Sequence, residues 1–122
     1  MFREMYLASV LQKVRENDAS AMPAGAVLRA ATSGGALAMG LDDCATLSEG
    51  SKADMVVIDM NRPNMQPVNN VQKNLVFAGT RDNVKMTVAN GVIVYEDGKF
   101  PTLDAEKIYA KANEIMALKK SM

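Results

Sequence analysis

At 122 residues, with fourteen basic and fourteen acidic side chains, the chain has no formal net charge and can bury one modest core. That balance removes the electrostatic case for nucleic acid or an anionic membrane surface, and apolar runs of only a few residues are too short for a helical membrane span. There is no histidine and one cysteine, so a Ser-His-Asp arrangement and a histidine-based zinc site are both excluded within this chain.

The start, Met1-Phe2-Arg3-Glu4-Met5, has charges where a secretory leader needs an apolar stretch, and a cytoplasmic location is expected. Cys44 has no partner for an intrachain disulfide, which agrees with a reducing compartment. It also lacks the usual histidine base, so it reads as a structural thiol. The ten methionines are scattered, which suits core filling better than a Met-rich groove.

Residues 2–16 contain no proline or glycine and read as a helix. Phe2, Tyr6, Leu7, Val10, Leu11 and Val14 cover about half its circumference, with Met5 and Ala8 outside the arc. This is wider than one apolar stripe, so partners are expected on more than one side. A polar connector, Asn17-Asp18-Ala19-Ser20, follows. Pro23 suits the first turn of a second helix that runs to Met39 and ends on a left-handed Gly40, with Leu41 folding back. Gly34-Gly35 inside this helix costs about 1 kcal/mol per glycine, which suggests close approach of another backbone. A phosphate-cradling loop is the alternative, but no strand precedes the pair and no Gly-Lys-Ser/Thr follows it.

Gly50-Ser51-Lys52-Ala53-Asp54 then leads into a short apolar strand, Met55-Val56-Val57-Ile58, closed by Asp59. The loop Asn61-Arg62-Pro63-Asn64-Met65-Gln66-Pro67 follows, and residues 71–78 fit either a short helix or a strand. Two strands flank Asn90-Gly91, a pair suited to a type I′ turn. That turn predicts Val88 opposite Ile93 and Met86 opposite Tyr95. Asp97-Gly98 is a second turn. Thr102 or Asp104 can cap a last helix running to about Lys120, with Lys119 and Lys120 favourable at its C-terminus.

In their order and spacing these segments resemble the C-terminal region of the amidohydrolase superfamily, in its chlorohydrolase and adenosine-type deaminase branch. The residues carrying the resemblance are Ala31-Thr32-Ser33-Gly34-Gly35-Ala36-Leu37-Ala38-Met39-Gly40, Leu47 to Gly50 with Ala53-Asp54-Met55-Val56-Val57, the loop from Arg62 to Val68, and the hairpin from Val88 to Val94. Ala45 stands where the family usually has glycine. The resemblance implies an α+β chain: two helices from the tail of a (β/α)8 barrel, then C-terminal strands of a small β-sandwich, then a terminal helix. The corresponding divisions are 1–47, 48–100 and 101–122.

It also implies a parent reaction in which a water activated by zinc or iron attacks a purine- or triazine-like ring carbon, releasing ammonia, an amine or chloride. Metal ligands and the proton-shuttling carboxylate would lie outside this chain. No catalytic, substrate-binding or metal residue is therefore assigned within it, and no cofactor. Asn69 falls where relatives can carry histidine but takes no ligand role. Asp42-Asp43 read as solvated loop residues and Asp54 as a turn anchor, because no run here has the alternating oxygen ligands of a calcium loop.

Two functions compete: a scaffold fragment of a metal-dependent hydrolase, inactive alone, and a stand-alone non-enzymatic assembly module. In a fragment, an open sheet edge and a wide apolar helix predict a homo-oligomer, and a compact monomer would favour the stand-alone module.

Overall fold

A computed structural model describes residues 1–120, with the side chain of Lys120 outside the described set. Helix α1 (Phe2–Glu16) ends where Asn17 turns left-handed at φ 50°, a conformation that asparagine tolerates better than most residues. The face it buries corrects the sequence expectation. Met5 and Ser9 are buried, whereas Tyr6, Leu11 and Val14 from the predicted arc are exposed. Ser9 explains the shift: its hydroxyl donates to the Met22 carbonyl at 2.9 Å, and so small a residue lets the connector lie against the helix.

Helix α2 (Ala24–Arg29) starts from Pro23 and passes through a π turn (Ala30–Gly34) into α3 (Gly35–Ala38). Gly40 stops it at φ 70°. Its N–H bonds the Leu37 carbonyl at 3.0 Å, and the Leu41 N–H reaches back to Ala36 at 2.9 Å, the Schellman pattern expected from the sequence. The glycine pair does not admit another segment, as had been expected. A Cβ on Gly34 would lie 3.0 Å from the Arg29 carbonyl oxygen, and one on Gly35 would lie 3.2 Å from that of Ala30. The crowding comes from the helix's own widened turn, whose carbonyls five residues back face these positions.

Helix α4 (Val71–Phe77) settles the ambiguous segment, because the Asn70 side chain caps it by accepting the Lys73 N–H at 3.0 Å. Met5, Ala24, Val27 and Val76 form the apolar cluster between α1, α2 and α4, and Phe2 packs against it. Gly79 makes that closure possible, since a Cβ there would fall 2.8 Å from the Phe2 ring.

The other layer is an antiparallel sheet in the order β1 (Met55–Ile58), β2 (Val84–Ala89), β3 (Val92–Glu96). Asn90 and Gly91 both have positive φ, 49° and 78°, and join β2 to β3 as predicted. Val88 pairs with Ile93, but Thr87 rather than Met86 pairs with Tyr95, and Met86 faces Glu96. The reason is a bulge that leaves Val94 as the extra residue on β3. Asp97-Gly98 forms the second turn, closed by paired hydrogen bonds between Glu96 and Lys99. Beyond it Phe100 packs on Tyr95 with ring centroids 5.3 Å apart.

Asp104, not Thr102, caps α5 (Ala105–Lys120), with its carboxylate accepting the Lys107 N–H at 3.0 Å. The described residues of α5 are exposed apart from the half-buried Ala105. The architecture is thus mixed helix with a three-stranded antiparallel sheet.

Gly91→Val forces a β-branched residue into φ 78°, which costs roughly 1–2 kcal/mol. The urea midpoint should fall accordingly with the slope unchanged. An unaltered midpoint would mean that the turn does not limit stability.

Candidate functional site

Side-chain contacts build two joints in this chain, and the first joins the end of the long helix to the sheet. Asp42–Cys44 makes a short 3-10 turn just after Leu41. From it the Asp43 carboxylate contacts Lys52 Nζ at 2.7 Å, and the Asp43 carbonyl accepts the Lys52 N–H at 2.8 Å. The residues from 44 to 51 are therefore closed into a loop at both backbone and side-chain level.

Two residues later Asp54 Oδ1 accepts the Asn90 N–H, and the Ala53 carbonyl accepts the Gly91 N–H at 3.0 Å. The entrance to β1 thus holds both amides of the hairpin turn, which is the anchoring role expected of Asp54. Half-exposed Cys44 lies beside this joint, its thiol 3.4 Å from the Leu41 carbonyl. Desolvation, followed by the neighbouring Asp54 carboxylate, pushes its pKa up, so the nucleophilic thiolate is disfavoured. Contact with Lys52 holds the Asp43 carboxyl below its usual range, and Asp43 raises Lys52 in return.

The second joint was not anticipated from the sequence. Asn83 is buried, and its Oδ1 accepts from the Thr80 N–H at 2.9 Å, the Thr80 hydroxyl at 3.1 Å and Asn64 Nδ2 at 2.8 Å. Its Nδ2 donates to the Asp59 carbonyl at 3.3 Å. Asn74 Nδ2 donates to the Met65 carbonyl at 2.8 Å, and Met65 is fully buried. These amides fix the 59–67 loop between α4 and the sheet. The Thr80-x-x-Asn83 spacing was the available signal, since it repeats the reciprocal logic of a capping box with Asn in place of Glu. Asp59 is occupied locally, accepting the Asn61 N–H at 2.9 Å and contacting Arg62 at 3.3 Å. Asn69 is exposed, with its N–H on the Pro67 carbonyl.

Two open grooves flank the sheet. One, of about 780 Å³, runs past Thr87, Tyr95, Phe100 and Leu103. The other, of about 490 Å³, is bordered by Asp59, Asp82 and Asp97 together with Arg62 and Lys85, so its charges largely offset one another. Neither brings a nucleophile to a base. Zinc in particular does not fit this donor set. The chain offers no imidazole and a single thiol, and no group of three His, Cys, Asp or Glu converges among the described residues. No helix among the described residues is long and apolar enough to cross a membrane.

What these joints belong to is given by likeness to known proteins. The amidohydrolase family model matches residues 1–94, and the chain belongs to the amidohydrolase family. Among the curated relatives, the 5-methylthioadenosine/S-adenosylhomocysteine deaminase of Pelotomaculum thermopropionicum is 41% identical over 114 residues, covering 93% of this chain and 26% of its own length. That of Desulfovibrio desulfuricans is 42% identical over 115 residues, again covering 26% of its length. Among solved structures, a zinc-bound adenosine deaminase from Xanthomonas campestris superposes on 100% of this chain at TM-score 0.93 and 31% identity, using 28% of its own residues. A zinc-complexed atrazine chlorohydrolase from Arthrobacter aurescens superposes on 93% of the chain at TM-score 0.80 and 25% identity. The chain thus spans about a quarter of the length of the relatives it matches.

The Asp43–Lys52 pair generates a pH dependence. Asp43 titrates lower folded than unfolded, so its contribution is present above the unfolded carboxylate pKa and lost as pH falls through the folded one. Lys52 titrates higher, so its contribution is present below 10.5 and lost as pH rises through the folded value. Both side chains are about half exposed, so the effect is small and sensitive to salt. Lys52→Met should flatten the acid limb of the urea midpoint between pH 5 and 2 and make it less salt-dependent. An identical acid limb in the variant would show that the pair does not couple to folding.

Proposed function

We propose that this chain is the C-terminal scaffold of a metal-dependent hydrolase that cleaves a non-peptide C–N bond on a purine-like ring, water replacing the ring amino group as ammonia leaves. The observation that carries this reading is the superposition of the entire chain on little more than a quarter of a zinc-bound adenosine deaminase. Identities of 41% and 42% to 5-methylthioadenosine/S-adenosylhomocysteine deaminases favour deamination over chloride release, for which the likeness is 25%. Zinc in those two solved neighbours supports a divalent metal in the longer enzyme.

In this reading residues 1–47 are the last helices of a (β/α)8 barrel with their connector. Residues 48–100 are sandwich strands, and 101–122 form the terminal helix. The two joints then have a mechanical purpose: they set the sheet against the helices so that the enzyme closes correctly, while the chemistry resides elsewhere. A stand-alone assembly module is less well supported, because the fold recurs as part of far longer enzymes.

The test replaces the matching segment of the Pelotomaculum deaminase with this chain. The chimera should release ammonia from 5-methylthioadenosine in the presence of zinc, and the isolated chain should release none. Metal-dependent turnover by the isolated chain, or a folded chimera without activity, would count against the reading.

The isolated chain should also self-associate through its apolar surface. Light scattering over a hundredfold dilution checks this, and a stable monomer throughout would argue that the chain closes its own core.

A further inference from the structure

The tip of the β2–β3 hairpin holds a chemically labile pair. The backbone nitrogen that follows an asparagine can attack the side-chain amide carbon of that asparagine, and glycine leaves this nitrogen unshielded because it has no side chain. Asn90 is the one asparagine of this chain that glycine follows. Both residues are exposed to water. The turn itself calls for such a pair, because consecutive φ values of 49° and 78° suit asparagine, aspartate or glycine and few other residues.

These two residues are also the ones held from outside the hairpin. The Gly91 N–H donates to the Ala53 carbonyl at 3.0 Å, and the Asn90 N–H donates to Asp54 Oδ1. Attack requires the Gly91 nitrogen to lose its proton and to turn toward Cγ of Asn90. While its N–H points at the Ala53 carbonyl, an anion formed there would face the lone pairs of that oxygen. The Asp54 carboxylate, one peptide away, adds like-charge repulsion. The contacts thus withhold the nucleophile, although Asn90 itself is exposed.

We infer that Asn90 is a latent modification site guarded by Ala53 and Asp54, converted to aspartate or isoaspartate when the entrance to β1 opens. The Gly91 nitrogen forms a bond to Cγ of Asn90, and the side-chain nitrogen leaves as ammonia, giving a cyclic succinimide. Water then opens the ring. Addition at Cγ gives aspartate, and addition at the main-chain carbonyl gives isoaspartate, in which the backbone runs through the side-chain carbon. The balance is water in and ammonia out, with no oxidant or reductant. Either product sets a new carboxylate beside Asp54, so the guard closes less well around it. Asp97-Gly98 has a similar turn, with φ 43° and 84°, but a carboxylate is a poorer electrophile than a carboxamide and releases no ammonia.

The experiment incubates the full chain at mildly alkaline pH and follows the exchange of amide for carboxylate by mass. Peptide mapping separates aspartate from isoaspartate at position 90. Conversion of Asn90 should be about tenfold slower, or more, in the folded chain than in guanidinium chloride. Asp54→Ala should recover most of that difference, and hydrogen exchange at the Gly91 amide should quicken with it. Asp54→Asn keeps an acceptor oxygen without the charge, which covers loss of the sheet in Asp54→Ala, and its rate should fall between that of the wild type and the unfolded rate. Val76→Ala thins the helical cluster without touching the guard. It should lower the urea midpoint and leave the Asn90 rate at the wild-type value.

Equal rates in the folded and unfolded chain, or Asp54 variants no faster than the wild type, would overturn the inference. So would faster conversion at another asparagine. Equal acceleration by Val76→Ala would overturn it as well, because global stability rather than the guard would then set the rate.

Discussion

One carboxylate ties the first strand of the sheet to the tip of its hairpin. Asp54 accepts the Asn90 N–H while the adjacent Ala53 carbonyl accepts the Gly91 N–H, so the entrance of β1 holds the tip of the β2–β3 hairpin. A three-stranded sheet with exposed apolar side chains on β1 has little packing to fix its register, and register is weakly specified where burial is weak. Hydrogen bonds from a turn to a fixed residue supply the specification instead. They also place the bulges. With the tip fixed, the extra residues at Lys85 and Val94 fall farther along β2 and β3, where the Lys85 carbonyl finds a partner in the Asp97 N–H.

The helical layer solves a related problem with amides. Its apolar cluster is small, and the loop that connects it to the sheet carries many backbone groups that need partners. Asn64, Asn74 and Asn83 provide them, and no buried side-chain nitrogen or oxygen among the described residues is left without a hydrogen bond. Asn83 is the buried member, with Asn64 exposed and Asn74 half-buried, so a lost partnership is most costly there. Replacing Asn83 would strand the groups it bonds, at about 1–3 kcal/mol for each one left buried without a partner.

Local grammar was the part of this architecture most legible in the sequence. Helix α1, the Gly40 stop and the Asn90-Gly91 turn all follow from short-range rules of capping and backbone conformation, and each stands where those rules put it. Facing was not legible. Met5 and Ser9 are buried in place of Tyr6 and Val14, because hydrophobicity counts alone do not reveal which side of a helix its neighbours occupy. A buried serine is invisible to such a count, and so is a bulge that moves Met86 from Tyr95 to Glu96. The glycine pair failed for the same reason: glycine signals crowding, but not whether the crowding comes from another segment or from the helix's own π turn. The candidate site was legible mainly through what the residue inventory excludes, since a chain without histidine has few ways to hold zinc.

On the reading proposed above, the exposed apolar faces and the polar joints have one explanation. An active site built on this fold needs ligands and a proton shuttle in a water-excluding pocket, and the grooves here are open, with charges that largely cancel. A scaffold needs the opposite: rigid internal joints and apolar outer faces ready to be covered. Both conditions are met together here, with carboxylates and amides engaged at the joints and valine, leucine and isoleucine exposed on β1, α1 and α5. Had the polar groups been spent on chemistry, nothing would hold the register of the sheet. Had the apolar groups been turned inward, the chain would close on itself and offer a larger body nothing to pack against. The distribution of side chains therefore argues for a part shaped by what it joins.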